Sequence, residues 1–185
     1  MAMTLDSEND WIVGARHVIS PNTDDREPGA VIDALIVHGI SLPPGEFGGP
    51  YVDQLFTNTL CADAHPYFTE IEHLRVSAHL FIDRHGAITQ YVPFSRRARH
   101  AGASILHGRE DCNEYSIGIE LEGCDDQPYT ARQYEVLAEV TRILCRQWPG
   151  ICRERIVGHC DVAPGRKTDP GPAFDWEKYF SLLEK

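Results

Sequence analysis

Two histidines and one aspartate stand in this chain where a metal ion could be held. His38 closes a short apolar run, IDALIVH at 32–38, and a loop with three prolines and three glycines (41–50) follows it. The length and β-branched content of the run predict a buried strand. His159 likewise ends a short stretch, RIVGH at 155–159, ahead of a second Pro/Gly-rich loop at 161–173. Asp169 lies in that loop directly before Pro170, which biases its backbone toward an extended conformation. Two strand-end histidines and a loop carboxylate leave a fourth coordination position open, as a catalytic zinc site does and a structural one does not. Spacing alone leaves the choice open. The chain has nine histidines, and His65, His73, His79, His85, His100 and His107 compete. A lone strand-end histidine is ordinarily packed or solvated, Asp169 could be a plain turn residue, and Lys167 a solvated loop charge.

The elements that must position these groups are legible from pattern. Short helices are expected near 51–59 and 67–74. A hairpin is expected over 76–93, with VSAHLFID and AITQYV joined through Arg84-His85-Gly86. YSIGIELE at 115–122 alternates, so Ile117, Ile119 and Leu121 point one way while Ser116, Gly118, Glu120 and Glu122 point the other. On that polar face an exposed carboxylate is the ordinary reading of Glu120. A longer helix is predicted over 131–148. Thr130 and Gln133 form a capping box, and Tyr134, Leu137, Val140, Thr141, Leu144 and Trp148 recur at helical spacing. A final amphipathic helix covers 175–184. Strands alternating with helices, plus a hairpin, predict a single α/β domain with a mixed β-sheet flanked by helices. Residues 1–30, polar and turn-rich, read as an ordered lead-in to a domain at 31–185.

Charge and cysteine usage narrow the partners. With 17 Lys and Arg against 28 Asp and Glu, the formal net charge is −11, which disfavours nucleic acid and anionic membranes. No apolar run reaches the ~20 residues of a membrane span. The N-terminus, MAMTLDSENDW, lacks a basic head followed by an apolar stretch, so a cytoplasmic location is expected. The six cysteines then read as free thiols, and none forms a Cys-x-x-Cys pair. Sequence leaves the oligomeric state open.

Several ordered motifs carry a family resemblance. LIVHGISLPPGEFGGP, HPYF, LRVSAHLFIDRHGAITQYVPF, HAG, NEYSIGIELEG and VGHCDVAPGRKTDPGPAFDW together resemble the N-acetylmuramoyl-L-alanine amidases of the bacteriophage-lysozyme-like type, from about Trp11 to the C-terminal helix. The likeness is greatest to the cytosolic branch that acts on anhydro-muropeptides in cell-wall recycling. It implies a zinc hydrolase that cuts the amide between muramic acid and L-alanine. His38, His159 and Asp169 match the zinc ligands, Glu120 the catalytic glutamate and Lys167 the lysine before the aspartate ligand. Tyr67, Arg75, Arg99 and His100 are candidate contacts for a muropeptide substrate.

Related enzymes can use a cysteine as third ligand, which makes Cys160 a competitor of Asp169. A strand running through His159 and Cys160 would point the two side chains to opposite faces, which favours Asp169. The chain departs from the family pattern at Gly39, often asparagine, and at Arg99, commonly aromatic; sugar or peptide would be held at both. The basic run Arg96, Arg97 and Arg99 is expected either to hold stem-peptide carboxylates or to be a solvated strand end. Action on intact peptidoglycan, or a non-catalytic binding module, are the alternative functions.

Overall fold

A computed structural model describes residues 3–6 and 8–184. Six strands form one mixed sheet: β1 (Arg16–His17), β2 (Ala34–Ile40), β3 (Leu80–Ile82), β4 (Ile88–Gln90), β5 (Ser116–Glu122) and β6 (Ile156–Gly158). Their spatial order is β6-β2-β5-β3-β4-β1. The first four in that order run parallel, β4 returns antiparallel to β3 through the expected hairpin, and β1 pairs parallel with β4. Parallel central strands need both faces covered, and both are.

One face packs on α3 (Ala131–Gln147) and α5 (Trp176–Leu183). The alternation read from sequence places Ile117, Ile119 and Leu121 there, with Leu35 and Val37 of β2 and with Val136, Leu137, Val140 and Leu144 of α3. The α3 cap forms in full: Gln133 N–H donates to Thr130 Oγ1 at 3.1 Å, and Thr130 N–H to Gln133 Oε1 at 3.0 Å. The Gln133 amide also donates to the carbonyls of Ile82 and Glu122, which fastens the helix start to two strand ends. Asp175 caps α5 by accepting from Lys178 N–H.

The opposite face carries two smaller clusters. Leu42, Leu55, Phe56, Phe68 and Tyr91 gather around α1 (Tyr51–Phe56) and α2 (Phe68–Ile71). Ala34, Ile36, Ala101, Leu106, Tyr115 and Val162 form the other. Both helices are shorter than the 51–59 and 67–74 expected, and β3 is shorter than its apolar pattern.

Two boundaries near the chemistry differ from expectation. The strand bearing His38 runs on to Ile40, so His38 lies inside the ladder. The last strand stops at Gly158, and His159 opens a one-turn helix, α4 (His159–Val162), within what reads as strand and loop. Asp161 causes this stop: its carboxylate accepts the Gly158 N–H at 2.7 Å and so caps the turn.

The N-terminal lead-in supplies the sheet's outer strand, β1. Its main tether is Arg26, which donates to the carbonyls of Asn113 (2.9 Å), Glu114 (2.8 Å), Ser95 (3.2 Å), Phe94 (3.2 Å) and Ser116 (3.0 Å). Burial lowers its pKa to about 10. Replacing a buried donor leaves its acceptors desolvated and unpaired. Arg26→Leu is therefore expected to destabilise the protein by about 1–3 kcal/mol, read as a lower urea midpoint at unchanged slope.

Candidate metal and hydrolytic site

The site lies where the parallel strands end, the usual place for ligands in an α/β sheet. Parallel register sets Glu120 of β5 directly opposite His38 of β2. The same register pairs Gly158 with Val37, so the next residue, His159, emerges beside His38. Asp169 arrives from the loop after α4, its carbonyl held by Cys160 N–H at 2.9 Å. His38, His159 and Asp169 form a group able to hold a metal ion, and Cys160 is outside it. Because His159 begins a helix, the strand-alternation argument against Cys160 does not apply; the backbone N–H of Cys160 instead holds the Asp169 carbonyl.

Three ligand atoms converge. His38 Nδ1 lies 3.0 Å from His159 Nδ1, and Asp169 Oδ2 lies 3.2 Å and 3.1 Å from the two nitrogens. A tetrahedral zinc with bonds near 2.0–2.1 Å separates its ligand atoms by roughly 3.3 Å, so the triangle fits.

The protons around it can be placed by tracing partners. The Ala101 carbonyl, 3.1 Å from His159 Nε2, can only accept, so Nε2 carries the proton and Nδ1 a lone pair. Ser116 Oγ donates to the Cys112 carbonyl, which leaves it accepting from His100 Nε2 at 3.4 Å. His100 Nδ1 is then an acceptor, and His38 Nε2, 2.9 Å away, donates to it. His38 Nδ1 is thereby also bare. Two lone pairs and a carboxylate face one another at contact distance with no proton among them. A cation relieves that repulsion, and the outer bonds fix both rings as metal-ligand histidines require. Burial keeps His38 neutral, lowering its pKa to about 4, and likewise takes His100 well below the ordinary range.

His100 can lie this close because β5 carries Gly118: a Cβ there would stand 2.3 Å from His100 Cγ. His79 braces the same strand from behind. Its Nδ1 accepts the Gly118 N–H at 3.0 Å and its Nε2 donates to the Arg96 carbonyl at 3.0 Å.

The two carboxyl groups are driven apart. Glu120, expected on an exposed face, is buried, because the chain beyond the sheet folds over that face. Burial, then the Asp169 charge, raises its pKa well above the usual range, with Lys167 opposing. Its Oε2 is buried with no hydrogen-bond partner, and the residue lines the cleft. For Asp169, burial acts upward, and positive charge held between its carboxylate and the imidazoles of His159 and His38, a proton or a cation in its place, acts downward and outweighs it.

The cleft has a volume of about 710 Å³, and its lining includes Ser41, Tyr67, Arg99, His100, Glu120 and Lys167. Arg75 does not line it; its guanidinium turns back to the carbonyls of Glu72 and Leu74. His100 forms part of the wall while bonded to the rear of His38. The basic run is internally paired: Arg96 with Asp25, Arg97 with Asp111 and Glu114, and Arg99 with Asp24 through two bonds of 2.9 and 3.0 Å. Of the three, Arg99 alone reaches the cleft. Sequence reasoning passed over the Ala101 carbonyl, Ser116 and the acidic rim of Asp125 and Asp126. Backbone acceptors and loop approach leave no mark in residue type, although the glycine in SIGIELE was a trace of the close approach of His100.

Comparison with known proteins agrees with the geometry. Residues 28–172 match the family model described as N-acetylmuramoyl-L-alanine amidase. The 1,6-anhydro-N-acetylmuramyl-L-alanine amidase AmpD of Escherichia coli (strain K12) is 58% identical over 96% of this chain and 97% of its own length. The protein of the same name from Haemophilus influenzae is 51% identical over 100% of both chains. A crystal structure of a selenomethionine derivative of AmpD superposes with a TM-score of 0.94 at 55% identity, covering 98% of this chain and 99% of that one. With the family match spanning most of its length and the fold shared throughout, this chain belongs to the N-acetylmuramoyl-L-alanine amidase family.

Proposed function

We propose that this protein is a zinc-dependent amidase. It hydrolyses the bond between anhydro-N-acetylmuramic acid and L-alanine in peptidoglycan fragments, as part of cell-wall recycling in the cytoplasm. The observation that carries the metal reading is the convergence of two bare imidazole nitrogens and one ionised carboxylate at 3.0–3.2 Å. The names of the similar amidases carry the substrate reading. No helix among the described residues is long and apolar enough to cross a membrane.

His38, His159 and Asp169 would hold the zinc. When bound, zinc supplies Lewis acidity to an amide carbonyl and makes water a better acid at neutral pH. The protein's own groups do the rest. Glu120, which lines the cleft and has an unpartnered Oε2, takes a proton from the attacking water and delivers it to the departing alanine nitrogen. A raised pKa suits both halves of that task, since the group must accept and then release a proton. Lys167 places positive charge beside the developing oxyanion. Tyr67 and Arg99 line the wall along which sugar or stem peptide lies, with Arg99 held in place by Asp24. A non-catalytic binding module would have no use for the unpartnered Glu120 oxygen. Action on intact peptidoglycan is separated by mass spectrometry of the products from anhydro- and intact muropeptides.

Removal of metal by a strong chelator is expected to abolish amide hydrolysis, and added zinc to restore it; full turnover by metal-free protein would overturn the reading. Glu120→Gln keeps shape but not basicity, so zinc should stay bound while kcat falls roughly 10²–10⁴-fold. Because a general base works ionised, activity should decline as pH falls through the raised Glu120 pKa, placing the acid limb above that of an ordinary glutamate. Lys167 opposes that rise. Lys167→Ala should therefore move the acid limb of kcat/KM to higher pH, with zinc content followed in parallel so that metal loss is not mistaken for protonation.

A further inference from the structure

Tyr129 belongs to none of the groups that hold metal or move protons, yet its ring touches the backbone beside most of them. It sits in the segment between β5 and α3 and is buried, 5% exposed. Its hydroxyl donates to the carbonyl of Pro170, the residue after Asp169, at 2.9 Å. A Cβ built on Gly39, the residue after His38, would stand 2.2 Å from that hydroxyl. One built on Gly123, just past the end of β5, would stand 2.3 Å from Tyr129 Cε1. The ring is thus wedged between the glycines that follow the His38 and Glu120 strand segments, while its hydroxyl grips the Asp169 loop. Pro170 completes the packing: its Cα is 3.5 Å from a Cβ at Gly39, and its Cδ 2.9 Å from one at Gly158, the residue before His159.

We propose that Tyr129 is a positioning residue that sets the Asp169 carboxylate on the two imidazoles by clamping Pro170 over Gly39, and that Gly39 is glycine in this chain to admit the Tyr129 hydroxyl. The inference rests on the zinc reading above and deepens it. The sequence departs from its family's pattern at Gly39, and this packing gives the departure a role in metal binding. Physically, Asp169 lies on a loop with no ladder of its own. Its position is fixed by the Cys160 N–H on one side and, through Pro170, by the Tyr129 hydroxyl on the other. Loss of an outer bond that orients a metal ligand typically weakens metal affinity by about 10–100-fold.

A double-mutant cycle read as zinc affinity, by competition with a chromophoric chelator, tests this. Tyr129→Phe removes the grip on Pro170 and is expected to weaken zinc binding by roughly tenfold or more. Gly39→Ala should do the same by displacing the hydroxyl. In the Phe background the added methyl group meets Cζ of the ring and Cα of Pro170, each at 3.5 Å and each an ordinary contact, so Gly39→Ala should there cost less than about twofold further. Tyr179→Phe, which removes a buried hydroxyl bonded to Thr141 far from the cleft, serves as control and should lower Tm without changing zinc affinity. Unchanged zinc affinity in Tyr129→Phe, or an equal penalty for Gly39→Ala in both backgrounds, would overturn the proposal. Failure of the parent protein to bind zinc would instead overturn the metal reading on which it rests.

Discussion

In the parallel ladder between β2 and β5, Glu120 stands opposite His38, and the same register puts Ile117, Ile119 and Leu121 against α3. Core and site therefore share one constraint. Side chains along a strand alternate between faces, so a slip of one residue would send Glu120 into the apolar layer and an isoleucine into the cleft. The hydrophobic contacts with α3 that stabilise the fold thus also hold the chemistry in place. The edge strand β6 extends the arrangement, since its pairing with β2 delivers His159 next to His38.

Burial of polar groups is the second theme. His38, His79, His100 and Glu120 lie on or behind the cleft face of the sheet, where an unpaired polar atom is costly. Nearly every one is satisfied through a directed chain of hydrogen bonds. His38 leans on His100, His100 on Ser116, and Ser116 on a backbone carbonyl, while His79 is pinned between Gly118 and Arg96. Such a chain permits one proton arrangement, which leaves the metal-facing nitrogens bare. Against that background the oxygen of Glu120 stands out as unpartnered among these four residues.

Loops reach the site by attachment to this frame rather than by structure of their own. Glu122, which shares a face with Glu120, serves such an attachment. It accepts N–H groups from Gly48 in the Pro/Gly loop and from Arg84 in the hairpin turn, and so ties both to the end of β5. Arg26 does similar work for the N-terminal segment by collecting carbonyls from two stretches of chain, 94–95 and 113–116. Arg96, Arg97 and Arg99, expected either to hold substrate carboxylates or to form a solvated strand end, are paired with Asp24, Asp25, Asp111 and Glu114, as an acidic chain with many carboxylates close at hand makes favourable.

Much of this was legible in the sequence, because it follows from local periodicity and residue chemistry. Alternation in SIGIELE, the Thr130–Gln133 cap, the helical spacing from Tyr134 to Leu144 and the hairpin around Gly86 depend on near neighbours alone. The ordered motifs around His38, Glu120, Lys167 and Asp169 carried the family and with it the candidate ligands. Tertiary structure decided what depends on distant partners. It buried Glu120, because whether a polar strand face meets water is set by the chain that folds over it. It stopped β6 at Gly158, because a capping carboxylate three residues on outweighed the strand pattern. It turned Arg75 away from the cleft, paired Arg99 with Asp24, and set Tyr129 between two glycines far apart in sequence. Register, burial and charge pairing arise from contacts between residues tens of positions apart, and no local pattern encodes them.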